Sequence, residues 1–145
     1  MRQFSDPEGR FIIIDIKIEN KIITLVNIYA PNDDNPAFFK KVLSHLLSFD
    51  CEEIVLGGDF YLVQDVQKDK KGGNPVTHKN SVKEVQNVAN SLDLIDVWRV
   101  FDSDAKRFTW RRKNPEIHCR LDFFLTSASL SPAVTKADIF SRIQD

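Results

Sequence analysis

The chain has 145 residues, of which 42% are hydrophobic and 28% are charged, and its net charge at pH 7 is −1. This length is typical of one domain, so we expect a single domain with one core over residues 1–145. The ordinary composition excludes a disordered or fibrous chain. Because nucleic-acid binders usually have a basic surplus, any argument for such a partner depends on local clusters of charge.

The sequence has no apolar stretch near the roughly 20 residues that a membrane-spanning helix needs. Its first residues, Met1–Asp6, lack the apolar core of a signal peptide. We therefore expect an intracellular protein, nuclear or cytoplasmic and not secreted, with no membrane partner. Cys51 and Cys119 lack the spacing of a zinc site, so we expect two reduced thiols without a disulfide partner.

The first third of the chain predicts a β-hairpin followed by a helix. Residues 11–19 and 22–29 are rich in β-branched residues and flank a turn predicted at Asn20-Lys21. Asn35 and Pro36 are typical of a helix start, as a capping residue followed by proline in the first turn. Apolar residues at helical spacing predict its buried face. They are Phe39, Val42, Leu43, Leu46 and Leu47.

The middle of the chain predicts a buried strand, a long loop and a second helix. Residues 53–60 contain an apolar run that ends in Gly57-Gly58-Asp59, which predicts that Asp59 is presented at the edge of a sheet. The polar stretch 61–79 predicts a long loop. A helix is predicted over Ser81–Leu92, capped by Asn80 or Ser81. For residues 94–101 the pattern leaves the secondary structure open.

The last third predicts strands and completes an α/β fold with a mixed sheet. Residues 107–112 and 120–126 are β-rich and predict an antiparallel pair, and residues 134–140 predict one more strand. Large aromatic residues beside apolar runs are more often core than base-stacking surface. Those predicted as core are Trp98, Phe101, Phe108 and Trp110.

Four short motifs occur in order at predicted strand ends: Asn27–Asn32, Gly57–Phe60, Phe108–Trp110 and Arg120–Leu125. Together they resemble the endonuclease/exonuclease/phosphatase superfamily. The resemblance is closest to the apurinic-type endonuclease domains of non-LTR (LINE-like) retrotransposons, on the wording of the last motif and of Asp69–Gly73. It implies an α/β fold that is part of a layered β-sandwich flanked by helices.

The resemblance also implies roles for individual residues. Asp59 is implied to orient or deprotonate the attacking water, and Tyr29 to contact the scissile phosphate. Asp122 matches the aspartate that orients a catalytic histidine. These three are the predicted catalytic residues. Asn32 and Thr109 match positions that touch the nucleic-acid backbone, which short polar side chains can do through phosphate oxygens.

Two clusters of basic residues have less specific interpretations. Arg111, Arg112 and Lys113 could follow a phosphate backbone, with Arg111 as a nucleic-acid contact, or could be the solvated face of a strand. Both interpretations stay open. The lysines at positions 68, 70 and 71 are most simply a solvated loop, with contact to DNA as the less favoured interpretation.

The chain departs from the pattern of the superfamily in three places. Tyr61 occupies the position of an asparagine that assists phosphate binding, so this position is degenerate. The superfamily's upstream asparagine and metal-binding glutamate, and its final Ser-Asp-His triplet, have no counterpart before the hairpin or by the last residues, 143–145. We therefore expect an incomplete domain that lacks the N-terminal and C-terminal strands and retains no metal ligand. His45, His78 and His118 are predicted to lie in a helix, a loop and a turn, as ordinary surface or boundary residues and not as ligands.

These observations predict an endonuclease-like phosphodiesterase domain. Its full-length relatives are expected to hydrolyse a DNA phosphodiester with Mg²⁺ as cofactor and DNA as partner, whereas the chain as it stands is expected to be inactive. One alternative is a noncatalytic remnant that binds nucleic acid or a partner. Another is a phosphatase of the same superfamily that acts on a small phosphoester.

Overall fold

The computed structural model describes residues 1–74 and 78–140. In these residues nine strands and three α-helices are present, and a short 3₁₀ helix spans Ala128–Ala133. The strands are β1 Gln3–Ser5, β2 Phe11–Ile18, β3 Lys21–Tyr29, β4 Glu53–Asp59, β5 Lys70–Lys71, β6 Leu94–Asp96, β7 Trp110–Arg112, β8 Ile117–Cys119 and β9 Asp122–Ser127. The helices are α1 Pro36–Phe49, α2 Lys79–Leu92 and α3 Val97–Phe101.

Six strands form one mixed sheet in the order β1-β2-β3-β4-β9-β6, and three form a small sheet in the order β5-β8-β7. The large sheet buries one face under α1 and α2, where Ile13, Val26, Leu56 and Leu125 belong to the main core cluster. The described helices are all too short and polar to cross a bilayer. The structure therefore has the predicted α/β fold with a mixed sheet.

The predicted hairpin is confirmed. Strands β2 and β3 are antiparallel from the pair Phe11–Ile28 to the pair Ile18–Lys21. The connecting turn is Glu19-Asn20, one residue earlier than predicted, because Lys21 is already paired in β3. The backbone of Glu19 has a φ of 54°, as a tight hairpin turn requires.

The predicted start of α1 is also confirmed, since the Asn35 side chain accepts a hydrogen bond of 3.1 Å from the Phe38 N–H. One predicted core residue is wrong, because Leu47 is 60% exposed. The buried face extends instead to Phe38 and Phe49 at the helix ends. Helix α1 connects β3 to the parallel strand β4, and this crossover brings both strand ends to the same edge.

Helix α2 begins at Lys79, and its predicted cap is wrong. His78 occupies the capping position without a side-chain hydrogen bond. The cap comes from Asp34 in the loop before α1, whose Oδ1 accepts hydrogen bonds of 2.7 Å from both the N–H and the hydroxyl of Ser81. This contact fixes the start of α2 against the loop that follows β3.

The pairing predicted for residues 107–112 and 120–126 is wrong. Strand β7 pairs with β8, whereas β9 lies between β4 and β6 in the large sheet. The chain changes sheets at Arg120-Leu121, and a local apolar pattern does not reveal such a change of partner. The stretch left open contains β6 and α3.

Two further predictions from the last third are wrong. Residues 134–140 form no strand, and Phe140 is 82% exposed. Among the aromatic residues predicted as core, Trp98 is buried, but Phe101 and Trp110 are exposed and Phe108 is half-buried. Residues 143–145, by which the sequence has no Ser-Asp-His triplet, lie outside the described residues.

Two glycines allow β4 to lie close to its neighbours. A Cβ atom on Gly57 would lie 2.5 Å from the ring of Phe124, and one on Gly58 would lie 2.1 Å from the carbonyl oxygen of Ile28. Gly58 also has a φ of +132°, a conformation that L residues rarely adopt. The Gly-Gly pair therefore has a packing role that precedes any role in chemistry.

We predict that Gly58→Ala lowers the free energy of unfolding by about 3 kcal/mol, through backbone strain and the clash with Ile28. Gly9→Ala is the control, because Gly9 has a φ of +72° with no atom within 4 Å of the added Cβ. It should cost only the strain of about 1 kcal/mol. Equal losses for both variants in urea unfolding would contradict the close approach.

Candidate active-site edge

Three strands of the large sheet bring predicted catalytic residues to one edge. In the register of the sheet Tyr29 of β3 pairs with Asp59 of β4, and Asp59 pairs with Asp122 of β9. The Ala30 N–H donates to the carbonyl oxygen of Asp59 at 2.9 Å, which extends the contact beyond the strand ends. We call Tyr29, Asp59, Tyr61, Thr109 and Asp122 together the polar edge.

Asp59 is half-buried, and its Oδ1 accepts a hydrogen bond of 2.9 Å from the Tyr61 N–H. Burial raises the pKa of the Asp59 carboxyl, the Tyr61 N–H partly opposes this, and the negative charge of Asp122 raises the pKa further. A carboxylate with a raised pKa is a stronger base than an ordinary aspartate. Asp59 can therefore accept a proton from a bound water.

Thr109 forms hydrogen bonds with the backbone at the start of β9. Its Oγ1 accepts hydrogen bonds from the N–H groups of Leu121, at 3.0 Å, and Asp122, at 3.2 Å. A hydroxyl has two acceptor lone pairs and one proton, so the hydroxyl proton is the hydrogen-bonding group that remains. Thr109 thus positions Asp122 and presents a donor at the polar edge.

Tyr61 has a left-handed backbone with a φ of 52°. Its N–H is bound by Asp59, and its carbonyl oxygen lies 2.7 Å from Nδ1 of His78. The ring packs edge-on against Tyr29, with 5.9 Å between ring centroids. A hydrogen bond with Tyr29 raises the pKa of the Tyr61 phenol, and the negative charges of Asp59 and Asp122 add to this.

Arg10 is a residue of this edge that the sequence did not identify. Its guanidinium carbon lies 5.1 Å from the ring centroid of Tyr29, and its backbone carbonyl accepts a 2.7 Å hydrogen bond from the Tyr29 N–H. Arg10 lies in the β1–β2 connection, distant in sequence from every predicted site residue. No local pattern in the sequence links it to Tyr29.

A buried group of charges lies directly behind the polar edge. Arg120 donates to Asp69 through Nε at 2.8 Å and to Asp96 through Nη2 at 2.6 Å, and Arg99 also pairs with Asp69. The Arg120 guanidinium lies 5.0 Å from the ring centroid of Trp98. We call Asp69, Asp96, Arg99 and Arg120 the ion cluster.

The ion cluster joins three segments that are distant in sequence. Burial by itself lowers the pKa of the Arg120 guanidinium, but the hydrogen bonds that it donates to Asp69 and Asp96 outweigh this and raise it overall. The Arg120 N–H also donates to the carbonyl oxygen of Asp69 at 2.8 Å. The loop after β4, the start of α3 and the β8–β9 junction are therefore held together next to Asp122.

The remaining predicted site residues lie at the periphery. Asn32 is exposed in the loop after Tyr29, and Arg111 is exposed on β7 close in sequence to Thr109. Their contacts with nucleic acid stay predictions. His118 lies in β8 rather than in a turn, and its Nε2 is 2.7 Å from Oε1 of Glu116.

The residues of the polar edge do not form a magnesium site by themselves. Asp59 and Asp122 are the carboxylates of this edge, and no group of three His, Cys, Asp or Glu side chains that could hold a metal ion occurs in residues 1–74 and 78–140. Magnesium takes six oxygen ligands in near-octahedral geometry. The described residues therefore do not fit a magnesium ion without further ligands.

A cavity of about 760 Å³ adjoins the polar edge at Asp122 and Thr109. It is mainly apolar, with Val55, Phe124 and the segment 134–140 in its lining. A cavity of this size is in the range of small-ligand sites. There is thus room for a small ligand next to the polar edge.

No protein-family model matches the sequence. The structure is similar to an AP endonuclease from Leishmania major, with a TM-score of 0.70 and 16% identity over 88% of this chain and 48% of that chain. It is similar to a 3'-5' exonuclease (NExo) from Neisseria meningitidis, with a TM-score of 0.69 and 18% identity over 88% of this chain and 56% of that one.

It is also similar to the endonuclease domain of TRAS1, a telomere-specific non-LTR retrotransposon, with a TM-score of 0.64 and 13% identity over 89% of this chain and 57% of that domain. At these identities the likeness shows the fold alone. The chain spans about half the length of the solved structures that it matches.

Because the pKa of Asp59 is raised, we expect this residue to make the free energy of unfolding depend on pH. A carboxyl with a higher pKa in the folded than in the unfolded state binds protons preferentially when folded, so its contribution to stability falls as the pH rises between those two values. Asp59→Asn keeps the acceptor for Tyr61 and removes the charge. Its stability relative to wild type should therefore increase from pH 3 to pH 7.

The control for this measurement is Asp33→Asn, which removes the same charge from an exposed loop. Urea unfolding at several pH values gives both differences. A relative stability of Asp59→Asn that is constant or decreasing over this range would show that Asp59 is not destabilised by its surroundings.

The ion cluster predicts a large effect of removing one member. Arg120→Met leaves Asp69 buried without its main partner, which should lower the free energy of unfolding by about 4 kcal/mol. Arg111→Met removes an equal charge from an exposed position and should change it by less than about 0.5 kcal/mol. If thermal and urea unfolding gave the two variants similar stability, the ion cluster would not organise this region.

Proposed function

The chain has the endonuclease/exonuclease/phosphatase fold, and we propose that its polar edge binds the phosphodiester backbone of DNA. The observation that carries this proposal is the register of β3, β4 and β9, which brings Tyr29, Asp59 and Asp122 side by side. The hydroxyl of Thr109 lies at the same place through its contact with Asp122. Neutral donors and a basic carboxylate are the groups that phosphodiester hydrolysis uses.

Each residue of the edge has a role that fits its chemistry. The phenol of Tyr29 donates to a phosphate oxygen as negative charge develops there, and Thr109 donates to a neighbouring oxygen. In hydrolysis by a domain that has all its metal ligands, Asp59 accepts a proton from the water that attacks phosphorus, the P–O bond to the leaving group breaks, and the leaving oxygen takes a proton from solvent. Asp122, on the neighbouring strand β9, matches the aspartate that orients a catalytic histidine in the superfamily.

The proposal separates binding from hydrolysis. The described residues include donors for a phosphate but lack a third metal ligand at the edge. In metal-assisted hydrolysis the metal neutralises the charge that develops on the phosphate, a contribution of several kcal/mol. We therefore propose that this chain binds DNA and does not cleave it without ligands from outside the described residues.

The β7–β8 hairpin supports a longer contact with the DNA backbone. Trp110, Arg111 and Arg112 are all exposed on β7, and β7 begins next to Thr109. Exposed cations beside an aromatic side chain suit a strand of phosphates and bases. The β-hairpin therefore extends the proposed DNA site beyond the polar edge.

The retrotransposon branch and the location in the cell are also proposals. The motif Arg120–Leu125 and the segment Asp69–Gly73 support the branch, together with the likeness to the TRAS1 domain. A DNA partner supports an intracellular protein, nuclear or cytoplasmic.

Binding of the chain to a fluorescein-labelled DNA duplex, followed by fluorescence anisotropy in the presence of a chelator, tests the proposal. The affinity should fall steeply with salt, as expected for phosphate contacts. Thr109→Val removes the hydroxyl at nearly constant volume and should weaken binding by about tenfold, the effect of a hydrogen bond to a charged group. Thr109→Ser, which keeps the hydroxyl, should bind like the wild type.

Nicking of supercoiled plasmid with magnesium tests the second half of the proposal. We expect no nicking by this chain. Magnesium-dependent nicking that disappears in Asp59→Ala would show that the chain is an active endonuclease. Turnover of small phosphomonoesters without binding to DNA would instead favour a phosphatase.

A further inference from the structure

We infer that Arg10 and Tyr61 join Tyr29 in a phosphate-binding site at the polar edge, with Arg10 as its cation and Tyr61 as the phenol that positions the Tyr29 hydroxyl. This inference rests on the proposed binding of DNA backbone. It assigns the degenerate position 61 a function, and it adds a residue from outside all four sequence motifs.

The position of Arg10 is fixed by its backbone. Its N–H donates to Oδ2 of Asp6 at 3.0 Å, and its carbonyl accepts from the Tyr29 N–H at 2.7 Å. Asp6 is buried and forms a salt bridge of 3.0 Å with Lys41 of α1. The β1–β2 connection is therefore held against the end of β3, with Arg10 at the polar edge.

The guanidinium of Arg10 retains donors for a ligand. It lies 5.1 Å from the ring centroid of Tyr29, and its Nη1 makes long hydrogen bonds of 3.5 Å to the carbonyl oxygens of Tyr29 and Ala30. A guanidinium has five N–H donors in a planar fork that matches two phosphate oxygens. Beyond its contacts with these carbonyl groups, most of that fork remains for an anion next to the Tyr29 hydroxyl.

The positive charge of Arg10 offsets the negative charge of two carboxylates at the polar edge. Asp59 and Asp122 face each other there, and their negative charges oppose the approach of a phosphodiester. Arg10 is half-buried, so its charge is less screened than that of a fully exposed side chain. It therefore supplies attraction where the two carboxylates alone would repel the ligand.

Tyr61 is held in position from both sides of its backbone. Asp59 accepts its N–H and His78 contacts its carbonyl oxygen, and these contacts fix a left-handed conformation that costs a tyrosine free energy. Backbone strain of this kind is found at functional sites. Its ring packs against Tyr29, and the hydrogen bond between the two phenols raises the pKa of Tyr61, which fits Tyr61 as the donor of that bond and leaves the hydroxyl proton of Tyr29 for a phosphate oxygen.

The experiment measures anisotropy of the labelled duplex with chelator over a range of NaCl concentrations. Arg10→Gln should weaken binding by about tenfold and reduce the slope of log K against log salt by about 0.9, the value for one phosphate contact. Lys17→Gln is the matched control, because it removes one positive charge from the exposed far end of β2. It should change neither the affinity beyond about twofold nor the slope.

Tyr61→Phe tests the phenol and should weaken binding by about tenfold without changing the slope, because it removes a neutral hydroxyl that positions Tyr29. Arg10→Lys should retain the slope, and circular dichroism checks that each variant is folded. If the wild type binds while Arg10→Gln matches Lys17→Gln and Tyr61→Phe matches the wild type, the inference is wrong and the proposed function stands. If the wild type does not bind the duplex, the proposed function is wrong and the inference fails with it.

Discussion

The close approach of β4 to the strands on either side of it is the constraint on which the site depends. Gly57 leaves space for the ring of Phe124, and Gly58 lets the backbone of β4 meet that of Ile28. Because both neighbouring strands stay in register up to the last residue of β4, Tyr29 and Asp122 end level with Asp59. A shift of one residue in either ladder would turn these side chains to the opposite face of the sheet.

The ion cluster adds a second constraint from behind the edge. Burying Asp69 and Arg120, with Asp96 and Arg99 partly buried beside them, has a high desolvation cost, so the cluster specifies geometry more than it adds stability. It fixes the point where the chain passes from the small sheet into β9, at Arg120 and Leu121. Thr109 then connects the small sheet to Asp122. The ion cluster and Thr109 thus determine together where the polar edge and the β7–β8 hairpin lie.

Features encoded by neighbouring residues could be predicted from the sequence. The β2–β3 hairpin, the Asn35 cap and the presentation of Asp59 at a strand end depend on short spacings. Features that depend on residues distant in the chain could not be predicted. The partner of β9 is β4 rather than β7, the cap of α2 comes from Asp34, and Arg10 reaches Tyr29 through a turn of the β1–β2 connection.

Tyr61 shows how sequence and structure complement each other. The sequence identified it as a departure from the expected asparagine, and the structure packs its ring edge-on against Tyr29. The most direct test of the account is an NMR titration of the isotope-labelled chain with a short DNA duplex. The account predicts that the largest amide shifts occur at Arg10, residues 29–32, 59–61 and 109–122. Shifts concentrated on α1 and α2, or on the far end of β2 at Lys17, would contradict it.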